Sequence, residues 1–102
     1  MAIYHQITWN YSADPTAITD CTAVIDDYLQ PYFSNGSTNP ADNYYEPPVG
    51  PNKPQPTSGT YARIRMWGDM ANCEAFVNQV NSWRNNDPIA PTVISEATIF
   101  TT

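Results

Sequence analysis

The chain begins with a strict alternation of hydrophobic and polar residues. One set of alternate positions holds Ile3, His5, Ile7, Trp9 and Tyr11. The positions between them hold Tyr4, Gln6, Thr8 and Asn10. A repeat of two residues predicts a half-buried β-strand, because successive side chains of a strand point to opposite faces of the sheet. The first set is the more apolar, so we expect a strand over residues 2–11 with that set, His5 included, facing the core.

A repeat of three and four residues follows, and it predicts an amphipathic helix. Its apolar positions are Ile18, Cys21, Val24, Ile25, Tyr28 and Leu29. Asp14 fits the N-cap, and Pro15 fits the first helical position, where no backbone N–H is needed. Pro31 is expected to end the helix near Gln30, because the residue before a proline disfavours helical angles.

Residues 34–59 hold six of the ten prolines and three of the four glycines. A structureless loop of this length is unusual inside a compact domain. Tyr44 and Tyr45 have high strand propensity, so we expect a short edge strand around Asp42–Glu46, followed by a long hairpin loop over Val49–Gly59. PxxP matches in this loop resemble SH3-type ligands, but a stiff surface loop explains them as well.

The second half of the chain repeats the order of strand, helix and strand. Thr60–Trp67 alternates and predicts a strand, and Met70–Arg84 carries a helical stripe that includes Phe76 and Val80. Thr92–Thr101 is rich in β-branched residues and predicts a final strand. We therefore expect a single domain over residues 1–102 with the order β-α-β-β-α-β.

That order is typical of the ferredoxin-like fold, an α+β sandwich of two layers. With right-handed crossovers it predicts a four-stranded antiparallel sheet of strand order 4-1-3-2, with both helices on one face. The other face of the sheet would then be open.

The stretch Tyr61-Ala62-Arg63-Ile64-Arg65-Met66-Trp67 decides what that open face carries. If Ala62, Ile64 and Met66 face the helices, the large residues of the stretch lie on the open face beside the polar set of the first strand. Ile94 and Thr98 of the last strand are expected there too. The predicted interaction surface is then Tyr4, Tyr61, Arg63, Arg65, Trp67, Glu96 and Phe100.

We expect a sheet face with this many large side chains to be an interaction surface. A second copy of the chain is the explanation we favour. The alternatives are a ligand or nucleic acid stacked on the aromatics, the proline-rich segment or a terminus folded across the face, and plain solvation. Buried arginines need carboxylate partners, and Glu96 or Glu46 would supply them for Arg63 and Arg65.

The net charge of the chain argues against some of these binding partners. The formal net charge is −6 and the sequence pI is about 4.2. An acidic chain opposes binding to nucleic acid or to an anionic membrane, because both depend on Lys and Arg. The sequence shows no span-length apolar run and no signal peptide, so we expect a cytoplasmic protein.

Catalytic and metal-binding motifs are missing from the sequence. His5 lies on the expected core side with no nucleophile or acid beside it. Cys21 and Cys73 are placed about 10 Å apart along antiparallel helices, too far for a disulfide, so both are expected in the core. We therefore predict no catalytic residue, no metal and no cofactor.

The topology also gathers three loops at one end of the sheet, where binding sites often lie. These are Asn10–Asp14, the proline-rich loop and Asn85–Pro91. The candidate surface at this end consists of Asp14, Tyr44, Tyr45, Lys53 and Asp87.

The leading hypothesis is a small non-catalytic structural or interaction module that self-associates through the open sheet face. The alternative is a ligand-binding or enzymatic dimeric α+β barrel with its pocket between the sheet and a partner. Binding of single-stranded nucleic acid on the sheet face is the third possibility.

Overall fold

The computed structural model describes residues 1–34, 40–45 and 56–102. Within them the elements follow in the order β1 (Ile3–Asn10), α1 (Pro15–Ser34), β2 (Pro40–Tyr45), β3 (Thr60–Trp67), α2 (Met70–Asn86), α3 (Ala90–Val93) and β4 (Thr98–Thr101). The predicted α+β class, with helices packed on an antiparallel sheet, is confirmed.

The sheet is built around β1. This strand pairs antiparallel with β3 along its whole length and with β4 over its first half. On the outer edge of β3, β2 pairs through Pro40, Tyr44 and Tyr45 with a shift of register, which gives the order β2-β3-β1-β4. Glu46 and the loop predicted for Val49–Gly59 lie outside the described residues, apart from residues 56–59.

The first helix begins where the sequence predicts it. The Asp14 carboxylate accepts hydrogen bonds from the backbone N–H groups of Thr16 at 2.8 Å and Ala17 at 3.2 Å, as an N-cap does. The predicted end near Gln30 is wrong, because α1 continues through Pro31 to Ser34. A proline removes one hydrogen bond from a helix. The continuation brings the Tyr32 ring edge-on to Trp67, with centroids 5.1 Å apart, and this packing offsets the loss.

The second helix begins after Asp69, whose carboxylate accepts from the Asn72 N–H at 3.0 Å. It buries Cys73, Phe76, Val77 and Val80 against the sheet.

The predicted last strand is wrong in its first half. Ala90–Val93 forms the short helix α3, and Ile94 makes only an isolated bridge to Trp9. Side chains replace the ladder here, since the Ala97 N–H donates to the Asn81 side chain at 2.8 Å. Only Thr98–Thr101 joins the sheet as β4.

The core lies between the helices and one face of the sheet. Its largest fully buried side chains include Trp9, Phe76, Ile7 and Ile94. His5 lies among them at 3% exposure, on the side that the sequence predicts. Cys21 and Cys73 are both buried and free, as expected.

The register of β1 and β3 overturns the prediction for the central stretch. Trp67 lies opposite Ile3, Arg65 opposite His5, Arg63 opposite Ile7, and Tyr61 opposite Trp9. Directly opposed residues of an antiparallel pair share a face. The four large side chains therefore lie on the helix side, and their expected place on the open face is wrong.

The residues on the open face are correspondingly different. Ala62, Ile64 and Met66 lie there, opposite Thr8, Gln6 and Tyr4. Tyr4 and Phe100 occupy this face as predicted, with stacked rings whose centroids are 4.9 Å apart. Ile94, which we expected beside them, is 2% exposed in the core. Its bridge to Trp9 turns it to the helix side.

Glu96 is not part of the open face either. It precedes β4, and its carboxylate lies 3.8 Å from the Arg84 guanidinium with 67% of its side chain exposed. The prediction that Glu96 pairs with Arg63 or Arg65 assumed that all three side chains lie on the open face. The register of β1 and β3 places both arginines on the helix side, so that assumption is wrong.

Candidate functional site

Arg63 is the centre of an aromatic and polar cluster on the helix side of the sheet. Its guanidinium lies over the Trp9 ring, 4.3 Å from the centroid, and 5.6 Å from the centroid of Tyr11. Its Nε donates a hydrogen bond to the Tyr11 hydroxyl at 2.8 Å. A guanidinium stacked on indole is a favourable cation–π contact, and the hydrogen bond fixes its orientation. Arg63 is thus held rigidly by side chains of β1 and the turn that follows it.

Arg63 also forms one wall of a cleft between the sheet and α1. This α1 cleft has a volume of about 390 Å³. Its lining residues are Ile18, Thr19, Thr22, Ala23, Asp26 and Arg63. Five of the six come from one side of α1, which therefore gives the cleft an apolar wall, two hydroxyls and a carboxylate opposite the guanidinium.

The surroundings of the Asp26 carboxyl shift its pKa. Partial burial raises its pKa, the positive charges of Arg63 and Arg65 lower it, and the neighbouring Asp27 raises it. Burial is the largest of these causes, so the net direction is upward.

A second cleft adjoins the first and shares Ile18 and Thr19 with it. It has a volume of about 320 Å³ and is completed by Tyr11, Pro15, Pro56 and Thr57. Tyr11 therefore contacts the Arg63 guanidinium and also lines a mainly apolar compartment. Together the two clefts reach the size of small-molecule sites in proteins.

Arg65 and Trp67 belong to a different, buried cluster around His5. The indole N–H of Trp67 donates to Nδ1 of His5 at 2.7 Å, and the His5 ring lies 4.8 Å from that of Phe76. Burial, and then the charge of Arg65, lower the pKa of His5 from 6.5 to about 3. His5 is thus a neutral imidazole enclosed by the rings of Trp67 and Phe76 in the core.

Gly59, at the described end of the proline-rich loop, contacts the loop Asn10–Asp14. The Tyr11 N–H donates to the Gly59 carbonyl at 2.8 Å, and the Gly59 N–H donates to the Ser12 hydroxyl at 2.9 Å. Gly59 has φ +91°, a conformation that favours glycine. The Asn10 side chain donates a 3.2 Å hydrogen bond to the Thr92 carbonyl, which belongs to α3 and not to the loop Asn85–Pro91.

The two candidates at this end whose side chains the structure describes, Asp14 and Asp87, each bond to backbone groups close to them in the chain. Asp14 caps α1, and Asp87 accepts from the N–H groups of Ile89 and Ala90. Lys53 and the side chains of Tyr44 and Tyr45 lie outside the described residues. A functional role for this surface stays a prediction.

Sequence reasoning missed the residues that make the α1 cleft. Ile18, Thr19, Thr22 and Asp26 looked like parts of an ordinary amphipathic helix. One signal was present: Thr19, Thr22 and Asp26 recur at steps of three and four, which gives α1 a polar strip beside its apolar stripe.

Metal and membrane binding gain no support from residues 1–34, 40–45 and 56–102. These residues contain no group of three or more His, Cys, Asp or Glu side chains close enough to hold a metal ion. Neither of the long helices in the same ranges has the apolar length that crossing a membrane requires.

Comparison with known proteins reveals a shared fold. No protein-family model matches the sequence, and no curated protein is significantly similar to it. A variant of SnoaB, a cofactor-independent oxygenase from Streptomyces nogalater, aligns with a TM-score of 0.55 at 10% identity, over 99% of this chain and 92% of SnoaB. Rv0793 from Mycobacterium tuberculosis aligns with a TM-score of 0.53 at 8% identity, over 100% and 95% of the two chains. At such low identity the likeness concerns the fold alone.

Proposed function

We propose that this protein is a small-molecule-binding homodimer of the dimeric α+β barrel type. In this proposal residues 1–102 form one ferredoxin-like domain whose open sheet face meets the same face of a second copy. Each subunit binds its ligand in the α1 cleft. The strand order β2-β3-β1-β4 and the packing of the helices on one face support the fold assignment.

The observation that carries the proposal is the contrast between the two faces of the sheet. The helix face holds Arg63 against the Trp9 ring and buries Arg65. The open face of β1, β3 and β4 holds no charged residue in the described part of the chain. Its side chains are Tyr4, Gln6, Thr8, Asn10, Thr60, Ala62, Ile64, Met66, Thr98 and Phe100.

A second copy is the occupant that this face fits best. Tyr4, Ile64, Met66 and Phe100 form an apolar centre, and Phe100 is 37% exposed in the monomer. The polar residues around them are uncharged, so two chains of net charge −6 can meet here without opposing like charges at close range. Burial of this centre supplies the free energy of association.

The mass of the protein in solution tests the dimer. Sedimentation equilibrium at micromolar concentration should give twice the chain mass of 11.4 kDa. Ile64→Glu places a charge at the centre of the open face and should give the single-chain mass, with an unchanged circular dichroism spectrum. Ala75→Glu adds the same charge at an exposed position of α2 and should stay dimeric. A monomeric wild type, or a dimeric Ile64→Glu protein, contradicts the proposal.

The chemistry of the α1 cleft supports binding of a small planar molecule with an acceptor or anionic group. The guanidinium of Arg63 supplies a positive charge to the lining, and it is backed by Trp9 and Tyr11. Thr19 and Thr22 supply hydroxyls, and the adjoining compartment supplies apolar surface. The pocket proposed from the sequence lay between sheet and partner. It moves to the helix side because Arg63 lies there.

A fluorescent anionic probe tests the site. We expect 1-anilinonaphthalene-8-sulfonate to bind the folded protein with saturable fluorescence. Arg63→Met should weaken binding roughly tenfold, since a charged contact of this kind contributes about 1–2 kcal/mol when partly desolvated. Arg84→Met removes the same charge outside the cleft and serves as the matched control.

A second variant keeps the test decisive if Arg63→Met unfolds. Ala23 is exposed on α1 and lines the cleft, so Ala23→Phe should fill the cleft without disturbing the core. The proposal is wrong if the probe binds wild type and Ala23→Phe with equal affinity, or if it fails to bind the wild type.

A further inference from the structure

A separate cleft lies between α1 and the last turns of α2, and neither the core nor the α1 cleft uses it. This interhelical cleft has a volume of about 330 Å³. Its lining residues are Tyr28, Gln79, Ser82, Trp83, Asn86 and Asp87. These residues supply aromatic, amide and hydroxyl groups and one carboxylate to its lining.

Two of the aromatic rings form a corner. The centroids of Tyr28 and Trp83 are 6.2 Å apart, and their planes meet at 83°. Trp9 and Trp67 are fully enclosed at 1% and 3% exposure, whereas Trp83 is only partly buried and faces the cleft. Trp83 is thus the tryptophan that can offer its π surface to a ligand.

The charge around the corner is negative. The carboxylate of Asp87 is fixed by hydrogen bonds from the N–H groups of Ala90 at 3.0 Å and Ile89 at 2.8 Å. These two bonds, with a further one from Trp83, lower the pKa of Asp87, so the carboxylate stays ionised in neutral solution. Burial, and then the charges of Asp87 and Asp20, raise the pKa of Cys21, so the field of the Asp87 carboxylate also reaches α1.

Positive charge points away from the cleft. Arg84 follows Trp83 in the chain, but its Nε donates to the Ile94 carbonyl at 2.9 Å and its guanidinium lies 3.8 Å from Glu96. No Lys or Arg lines the interhelical cleft among the residues that the structure describes.

We propose that the interhelical cleft binds an organic cation, an alkylated ammonium group seated in the corner of Tyr28 and Trp83 and balanced by Asp87. The negative faces of tyrosine and tryptophan attract such a cation, and tryptophan does so most strongly. Its alkyl groups gain contact with the rings, while Gln79 and Asn86 can bond to a hydroxyl or carbonyl on the remainder of the ligand. This site is independent of the α1 cleft and of the dimer.

Choline and its uncharged isostere 3,3-dimethyl-1-butanol form the decisive pair of probes. Both are titrated into ¹⁵N-labelled protein while the indole N–H resonances of the three tryptophans are followed; a Trp83→Phe variant assigns the Trp83 signal. We expect choline to shift the Trp83 signal saturably and to leave Trp9 and Trp67 unmoved. The isostere should bind at least roughly tenfold more weakly, because it lacks the charge that the rings and the carboxylate attract.

Asp87→Asn tests the carboxylate without removing its structural role. The amide oxygen of asparagine can still accept from Ile89 and Ala90, so the turn should remain folded. Choline affinity should fall roughly two- to fivefold at low salt, as expected for an exposed charge contact, and the isostere should be unaffected. Equal binding of the two probes, an unchanged choline affinity in Asp87→Asn, or no shift of Trp83 with choline overturns the proposal.

Discussion

The buried imidazole of His5 makes the stability of this protein sensitive to acid. Nδ1 of His5 accepts the Trp67 indole N–H at 2.7 Å, and the ring is 3% exposed. Protonation would put a proton on Nδ1 facing the proton of the indole, so the folded state resists it. The folded pKa is about 3, against an ordinary value of 6.5.

The sign and size of the effect follow from linkage. A base with a lowered folded pKa binds fewer protons folded than unfolded, so its contribution to stability is present above pH 6.5 and is lost as pH falls toward about 3. In the unfolded state His5 has its ordinary pKa of 6.5, which is about 1.5 units above pH 5. At about 1.36 kcal/mol per unit, protonation of the unfolded state at pH 5 costs the folded protein about 2 kcal/mol of stability.

The variant His5→Asn isolates this contribution. Asparagine does not titrate, and its side-chain oxygen can accept from Trp67 in place of Nδ1. We expect the variant to be less stable at pH 7.5, because it fills less of the core. Between pH 7.5 and pH 5, however, it should lose about 2 kcal/mol less than the wild type.

Urea unfolding at both pH values, followed by tryptophan fluorescence, measures the difference. All other titrating groups are common to the two proteins, so the comparison removes their contribution. If wild type and His5→Asn lose the same free energy on acidification, His5 is not a buried neutral base and the reasoning is refuted.

Three further substitutions test the packing and the helix ends by urea unfolding. Pro31→Ala restores a hydrogen bond within α1 at an exposed position and should stabilise by about 1–3 kcal/mol; a loss of stability would show that the proline fits without cost. Phe76→Ala opens a cavity beneath the His5 and Trp67 rings and should cost about 3–5 kcal/mol; a loss below about 1 kcal/mol would contradict its central place. Asp69→Ala removes the cap of α2 and should cost about 1 kcal/mol; Ala71→Ser, exposed in the first turn, is the neutral comparison.

The sequence predicts the elements of this fold better than their relative placement. The alternation from Ile3 to Trp9 and the stripe from Ile18 to Leu29 each have one apolar face. The sequence therefore predicts both the type of element and the side of it that faces the core. Helix α3 was missed because Thr92 and Val93 have high strand propensity. The carboxylate of Asp87 and the position of Pro91 in the first turn override that local preference.

The phase of β3 could not be predicted in the same way. Ala62, Ile64 and Met66 are apolar and uncharged, so local hydrophobicity places them inside and the arginines outside. The register with β1 decides otherwise, because Tyr61 and Trp67 fill the core better than the smaller set does. Arg63 is tolerated on the helix side because it stacks on aromatic rings contributed by β1 and its turn.

The α1 cleft depends on that register, so it could not be predicted from the sequence. Arg63 meets Trp9 only when β3 pairs with β1 in the observed phase, and Asp26 meets Arg63 only once α1 packs on the same face. The presence of two arginines between aromatics was readable from the sequence, but their side of the sheet was not.

The measurement that tests the central proposal most directly is an isotope-filtered nuclear Overhauser experiment on a mixture of labelled and unlabelled chains. It detects contacts between two copies and identifies the face that makes them. We expect intermolecular signals between the methyl groups of Ile64 and Met66 and the rings of Tyr4 and Phe100. Intermolecular signals confined to α1 and α2, or none at a concentration where the mass is that of a single chain, would contradict it.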